Sequence, residues 1–369
     1  MAGGFGTRLW PASSTKMPKQ FLTVSCGKDE KEKKSFFFLA LERALAVGER
    51  VIVITGKSHI PHVIADAAKL TAAEKKRVIV IREPEAKNTA PAIACAVVYS
   101  GIGNMLVLTS DHIIKPLKKF ISDAGLAEQT AACGRLVIFG IPPSRPETGY
   151  GYIESIQPKQ ITIKTKNVKT DVFNTAAFHE KPDIENAKKY VDSGNFFWNS
   201  GMFAFNAEFM ADQYNNLAPE VIKPFLLLEK PDKSDFIISK KIKILNNWKG
   251  LENAYKKTKN ISFDYAVAEK CKESAMIRAS FDWIDIGNWD EYIKLTGKTG
   301  SLVFNTGSDT CFVDSDIPVA LAGVDDLIVI IRSEKNGRPA TALITRKGQT
   351  QKVRDVTEII KKTGNDDLL

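Results

Sequence analysis

Four short, unbroken apolar runs set the fold class of this chain: Val51–Ile54, Val78–Ile81, Met105–Leu108 and Leu136–Phe139. A strand that is apolar at successive positions, rather than at every second one, is covered on both faces. That is the condition of a parallel sheet packed between helices. Between the second and third runs lies the alanine-rich stretch Asn88–Ser100. Asn88 or Thr89 can cap it, and Pro91 falls in its first turn, where a missing N–H is tolerated. Such strand–helix–strand repetition predicts an α/β domain with a doubly wound, mainly parallel sheet.

Beyond about residue 298 the texture changes. The strand-like pieces Leu302–Phe304, Cys311–Val313, Val319–Leu321, Leu327–Ile331 and Thr341–Thr345 follow one another, separated by Gly, Asp and Asn. They predict a small all-β unit, with a helix from about Val353 to Lys361 and frayed final residues. A chain of 369 residues exceeds what one compact core usually holds. The expected division is therefore residues 1–297 and 298–369.

No apolar run approaches the ~18 residues of a membrane helix, and the start lacks the pattern of a secretory signal. Five cysteines, scattered and without a CxxC pair, argue against a disulfide framework or a cysteine zinc site, so a cytoplasmic setting is expected. The net charge of +9 comes from 52 Lys plus Arg against 43 Asp plus Glu. Nucleic acid is one partner for such a charge, but the lysines are dispersed. The densest run, Lys28–Lys34, is mixed with acids, as in a solvated loop. Neither a nucleic acid nor a membrane is expected as a partner.

The chain opens on Gly3-Gly4-Phe5-Gly6-Thr7-Arg8-Leu9. Glycines let a backbone approach a ligand closely, and successive N–H groups can form an anion nest. Arg8 and Lys19 follow, giving two cations beside the loop, which suits a triphosphate. A tight turn with two surface cations would also explain the run. Two other nucleotide motifs fail: Leu9 stands where the dinucleotide fingerprint needs its third glycine. Gly56-Lys57-Ser58 has Val51 where a Walker A loop needs its first glycine, so it reads as a strand-to-helix turn.

The start through Trp10-Pro11, with Pro18-Lys19-Gln20-Phe21, resembles the signature of the sugar-nucleotide pyrophosphorylases. The Trp-Pro and Lys-Gln-Phe variants resemble those of mannose-1-phosphate guanylyltransferases. Further matches run in the family's order over roughly residues 2–290. They include Glu83-Pro84 with Asn88-Thr89-Ala90-Pro91-Ala92, Asp111-His112, Thr148–Ile153 and Glu180-Lys181-Pro182. Trp198–Phe203, Ser262–Ala266 and Trp283–Trp289 complete the set. In the family a β-strand precedes the glycine loop, whereas Met1-Ala2 stand before it here. Ser110 and Lys87 replace the family's usual alanine and arginine.

The resemblance implies a Rossmann-like, GT-A-like nucleotidyltransferase domain followed by a short left-handed β-helix, and a homodimer. It implies attack of mannose 1-phosphate on the α-phosphorus of GTP, giving GDP-mannose and pyrophosphate with Mg²⁺ as cofactor. That nucleophile is already an anion near neutral pH, so catalysis must come from alignment and charge neutralisation. Arg8, Lys19, Asp111 and Asp285 are the implied catalytic residues, Asp111 and Asp285 holding the metal. Nucleotide binding falls to Ala2, Gly3, Gly4, Gly6, Thr7, Arg8, Lys19, Asn88, Thr89 and Asp111, and sugar-phosphate binding to Gly149, Glu180, Lys181 and Asn199. Bland readings stand beside these: Asp111 as a cap or turn residue, Glu180–Lys181 as a surface ion pair, Asn199 as a turn asparagine and Asn88–Thr89 as a helix cap. The histidines match no ligand pattern. A pyrophosphorylase for another hexose 1-phosphate and nucleotide remains open, as does a regulatory subunit that binds sugar nucleotides without chemistry.

Overall fold

The runs at Val51 and Val78 become the adjacent parallel strands Val51–Gly56 and Val78–Glu83, in register Val51 opposite Val78. The computed structural model describes residues 1–3, 6–26, 32–160, 172–296, 302–334 and 339–369. Gly4 of the glycine loop and much of the Lys28–Lys34 run lie outside the described residues; the end of that run belongs to strand Glu32–Ser35. The chain divides into two compact units. One holds Met1–Gly3, Leu41–Thr109 and Ile114–Trp283; the other holds Gly4–Ala40, Ser110–Ile113 and Ile284–Leu369.

In the first unit a four-stranded sheet runs in the order Phe236–Ser239, Ile242–Leu245, Val78–Glu83, Val51–Gly56. A six-stranded sheet runs Asn104–Val107, Phe196–Asn206, Leu136–Ile141, Ser274–Arg278, Val172–His179, Tyr152–Gln160. The expectation of a mainly parallel sheet is corrected here. Within the six-stranded sheet only Leu136–Ile141 and Ser274–Arg278 pair in parallel among the described residues. Val172–His179 runs antiparallel to both its neighbours, and Phe196–Asn206 runs antiparallel to Asn104–Val107, Leu136–Ile141 and Tyr152–Gln160. Its residues are apolar on both faces, so composition reports its burial and not its direction. Alternate side chains enter two apolar clusters: Phe197, Phe203 and Phe205 join one, Phe196, Trp198 and Met202 the other.

The helix Thr89–Ser100 is buried from Ala90 to Val97, which explains its small, apolar composition. Asn88 caps it, its side-chain oxygen accepting the Thr89 N–H at 2.9 Å. Met1 and Ala2 are tied into the fold through their backbone nitrogens. The Met1 ammonium donates to the Leu108 carbonyl (2.9 Å), and the Ala2 N–H to the Ile54 carbonyl (3.0 Å).

In the second unit Thr23–Cys26 pairs antiparallel with Glu32–Ser35. The strand-like pieces after residue 302 form strands: Val303–Thr306 pairs in parallel with Val319–Ala322, and Phe312–Ser315 with Leu327–Arg332. Each strand thus stacks on the second strand after it, as in successive coils. Thr341–Arg346 then closes antiparallel on Leu327–Arg332. Leu9, Trp10, Phe36, Ile286, Trp289, Phe312, Ile328 and Ile330 form one apolar cluster. The Trp289 indole donates to the Trp10 carbonyl (2.9 Å), fixing the segment behind the glycine loop. The last residues are not frayed as expected. Leu368 accepts the Trp10 indole N–H (2.8 Å), and Leu369 the Thr15 N–H (2.6 Å).

Candidate active site

The second unit gathers one cluster. Gly6 has φ of +63°, a conformation that favours glycine, and a Cβ at this position would overlap that of Lys19. The loop therefore packs directly on the lysine stem. Ser13 Oγ donates to the Gly6 carbonyl (2.5 Å), and a single 3-10 turn, Thr7–Leu9, follows. Lys19 sits in the turn Lys19–Phe21 and is buried. Its Nζ lies 3.0 Å from Asp111 Oδ2 and 3.4 Å from Asp285 Oδ1. The two carboxylates come together because strand His112–Lys115, which begins just after Asp111, pairs with Asp282–Asp285.

Burial works against the charged form of Lys19, but the facing carboxylates outweigh it and hold the ammonium above the ordinary lysine range. Burial also works against the Asp111 carboxylate. Lys19 and then His112 outweigh it and hold the acid well below its usual range. His112 Nε2 lies 3.8 Å from Asp111 Oδ1 and 4.0 Å from Asp285 Oδ1. Sequence reasoning set the histidines aside, although Asp-His adjacency was the signal for this one. Arg8 is exposed and reaches toward Gly287: its Nη1 lies 3.9 Å, and Asp285 Oδ2 3.7 Å, from where a Cβ on Gly287 would stand.

The first unit gathers a different cluster. Glu180 and Lys181 directly follow strand Val172–His179; the Lys181 ammonium bonds Glu180 Oε1 at 2.6 Å. Lys181 has φ of +47°, a strained setting for a non-glycine residue. Asn199 donates through Nδ2 to Asp264 Oδ1 (2.7 Å) and accepts the Gly201 N–H through Oδ1 (3.0 Å), so its amide is held at both ends. Burial raises the Asp264 carboxyl, and the nearby Glu180 charge adds to that rise. Asp264 lies in the run Ser262–Ala266, whose sequence alone assigns it no role. The Gly151 carbonyl accepts the Asn199 N–H (2.8 Å), and a Cβ on Gly151 would fall 2.6 Å from Glu180 Oε2. The Gly149 N–H is held by Glu147 Oε1 (3.0 Å).

Asn88 and Thr89 are engaged in the fold. Asn88 caps the helix, and Thr89 Oγ1 accepts the Phe263 N–H at 2.8 Å. Ala2 is buried, and its carbonyl accepts Thr55 Oγ1 at 2.9 Å. Gly3 faces Glu83, whose Oε2 lies 3.8 Å from where a Cβ on Gly3 would stand. Glu83 is buried at the end of its strand, bonded by the Tyr255 hydroxyl (3.1 Å), and burial pushes its carboxyl up to about 7. Sequence reasoning gave Glu83 no role either.

A cluster of carboxylates beside a glycine-rich loop raises the question of a divalent metal. Among the described residues, no three or more His, Cys, Asp or Glu side chains are grouped to hold one alone. Asp111 and Asp285 nevertheless fit a hard divalent cation. An oxygen of each already faces one positive charge, the Lys19 ammonium. One or two carboxylates, with phosphate and water, are what Mg²⁺ usually takes.

The "Nucleotidyl transferase" family profile matches residues 1–301. A mannose-1-phosphate guanylyltransferase of Salmonella montevideo is 31% identical over 370 residues, which cover 98% of this chain and 73% of that one. A mannose-1-phosphate guanylyltransferase of Escherichia coli is 32% identical over 375 residues, with the same two coverages of 98% and 73%. Among solved structures, one described as mannose-1-phosphate geranyltransferase from Thermus thermophilus aligns with a TM-score of 0.76 at 26% identity, covering 98% of each chain. The chain therefore belongs to the nucleotidyl transferase family, in which it is similar to these mannose-1-phosphate guanylyltransferases.

Proposed function

We propose that this chain transfers GMP from GTP to α-D-mannose 1-phosphate, forming GDP-mannose and pyrophosphate. A phosphate oxygen of the sugar bonds to the α-phosphorus as the bond from that phosphorus to the β-phosphate bridging oxygen breaks, and pyrophosphate leaves. The identity to mannose-1-phosphate guanylyltransferases over 98% of the chain supports the choice of substrates. The observation that carries the chemistry is Lys19 held between Asp111 and Asp285. A reaction whose nucleophile needs no base requires fixed charges at the phosphates, and this cluster supplies them.

In this reading Lys19 and Arg8 neutralise the triphosphate, and nucleotide binding falls also to Ala2, Gly3, Gly4, Gly6 and Thr7. Asn88 and Thr89 shape the ground beneath the nucleoside. Lys181 takes the sugar phosphate; Glu180, Asn199 and the Gly149 carbonyl take hexose oxygens. Asp111 and Asp285 would hold Mg²⁺, which supplies Lewis-acid charge at the phosphates when bound.

We also propose that residues 1–297 form the transferase part and 298–369 an accessory β unit, since the family match ends at residue 301. The stacked parallel strands of that unit suit a left-handed β-helix. Its exposed Leu302, Val303 and Phe304 suit a homodimer contact. Cys95, Cys133, Cys271 and Cys311 are free, and no helix among the described residues is long and apolar enough to cross a membrane. Both observations suit a cytoplasmic enzyme.

Asp285→Asn tests the chemistry. Pyrophosphate release should fall roughly a hundredfold or more while circular dichroism stays unchanged. Unchanged turnover in the folded variant would remove Asp285 from the mechanism.

A further inference from the structure

The loop ahead of Tyr152 is fastened by a group that the proposed chemistry does not use. Glu147 divides its carboxylate: Oε1 accepts the Gly149 N–H (3.0 Å), and Oε2 accepts Arg145 Nη2 (3.0 Å). Its own N–H donates to the hydroxyl of Tyr152, which is fully buried (2.8 Å). The Arg145 guanidinium lies over the Trp198 ring, 5.6 Å from its centre. Tyr150, two residues from Tyr152, meets Trp198 and Trp283 edge-on, both at 5.3 Å.

These fastenings share one side of the strand that carries Asn199. Successive strand residues project to opposite faces. Trp198 enters the apolar cluster with Phe196 and Met202, whereas Asn199 turns to Asp264, whose neighbours Phe263 and Ala266 belong to the opposite cluster. Arg145 and Glu147 thus secure the loop from behind Asn199. The loop main chain they secure meets the sugar residues directly. The Gly151 carbonyl takes the Asn199 N–H, and a methyl group on Gly151 would displace the Glu180 carboxylate.

We infer that Glu147, braced by Arg145, is a positioning residue for the sugar phosphate. It sets the Gly149–Gly151 main chain against Glu180 and Asn199 and thereby decides which hexose fits. A carboxylate suits the task because one group can accept from an amide and a guanidinium at once, and both bonds gain from its charge. Arg145 is half-exposed, so its ion pair with Glu147 is a brace and not a source of stability. The inference rests on assigning Glu180, Lys181 and Asn199 to the sugar phosphate.

The test uses the whole chain with Glu147→Ala, Glu147→Gln and Arg145→Ala. Each is read by steady-state KM for mannose 1-phosphate and for GTP, by preference for mannose over glucose 1-phosphate, and by thermal melting. Glu147→Ala should raise the sugar-phosphate KM roughly tenfold, leave the GTP KM within about twofold, and narrow the hexose preference. Glu147→Gln keeps an acceptor for the Gly149 amide and loses the ion pair, so it should fall between Glu147→Ala and the parent. Arg145→Ala should move the same constant by less. Hydrogen exchange at residues 148–151 without substrate should quicken in Glu147→Ala.

Two results overturn the inference. One is an unchanged sugar-phosphate KM and preference in folded Glu147→Ala. The other is a parallel rise of both KM values with a lowered melting temperature, which marks a purely structural role. If the parent uses a different sugar phosphate, only the assignment to mannose fails, and the same variants are read on that sugar. No change in exchange at residues 148–151 counts against the positioning role whatever the sugar.

Discussion

Lys19 and Asp285 stand 266 positions apart in the chain, yet their charged atoms lie 3.4 Å from each other. Asp111 completes the contact at 3.0 Å from the same ammonium. Neither carboxylate is fully buried, and both remain open to a further cation. One ammonium against two carboxylates leaves the cluster net negative, and a divalent cation held by the same oxygens would turn it positive toward an incoming triphosphate.

Replacing Lys19 with Met removes that charge and keeps the bulk of the stem. Turnover should fall roughly a hundredfold or more, because fixed charge at the phosphates is lost. Thermal stability should fall too, since two carboxylates then face each other without the ammonium between them. Added Mg²⁺ should recover part of the stability by returning positive charge to the same oxygens. Melting with and without Mg²⁺ checks this, and an unaltered melting temperature without metal would contradict it.

Gly6→Ala strikes the same lysine from the backbone side. The positive φ and the overlap with the Lys19 side chain leave no relaxed position for a methyl group. The strain is about 1–2 kcal/mol for the backbone conformation alone. Lys19 must shift, so the expected result is a large loss of pyrophosphate release with the fold retained. Activity close to that of the parent would show that the loop tolerates displacement.

Gly151→Ala probes the other cluster. The added carbon would lie 2.6 Å from Glu180 Oε2 and 3.1 Å from the Phe178 ring, so Glu180 must move. The KM for mannose 1-phosphate should rise roughly tenfold, an energy of about 1.4 kcal/mol, with the GTP KM unchanged. A change confined to GTP would place Gly151 with the nucleotide.

Glu83 predicts a pH effect on stability. Burial lifts its carboxyl from 4.5 to about 7 in the folded chain. Between those values the folded chain keeps a proton that the unfolded chain releases, so stability from this group is lost as pH rises through the window and is constant above it. The total is on the order of 3 kcal/mol. Glu83→Gln carries no charge in either state. It should be more stable than the parent at pH 8 and lack the fall between pH 5 and 7. Denaturant midpoints at both pH values check this; parallel profiles would contradict it.

The glycine loop, the Val51 and Val78 strands, the Asn88 cap and the β texture after residue 302 were legible because each depends on local pattern. The direction of Phe196–Asn206 was not, since a strand buried on both faces looks the same either way round. Charge pairs assembled across long separations, such as Lys19 with Asp285, leave no local trace and came only through resemblance to a family. Asp264 and Glu147 were missed for a related reason. They act on Asn199 and Gly149 rather than standing out themselves, and an acid beside a glycine or an aromatic residue reads as an ordinary surface acid. Glu83 was missed because its burial depends on Tyr255, far along the chain.

A panel of nucleoside triphosphates offered with mannose 1-phosphate and Mg²⁺, read by pyrophosphate release and by the sugar nucleotide formed, tests the central claim most directly. The account predicts GDP-mannose and equimolar pyrophosphate with GTP, and loss of both on chelation. Pyrophosphate release with UTP, dTTP or a different sugar phosphate, and none with GTP and mannose 1-phosphate, would contradict it.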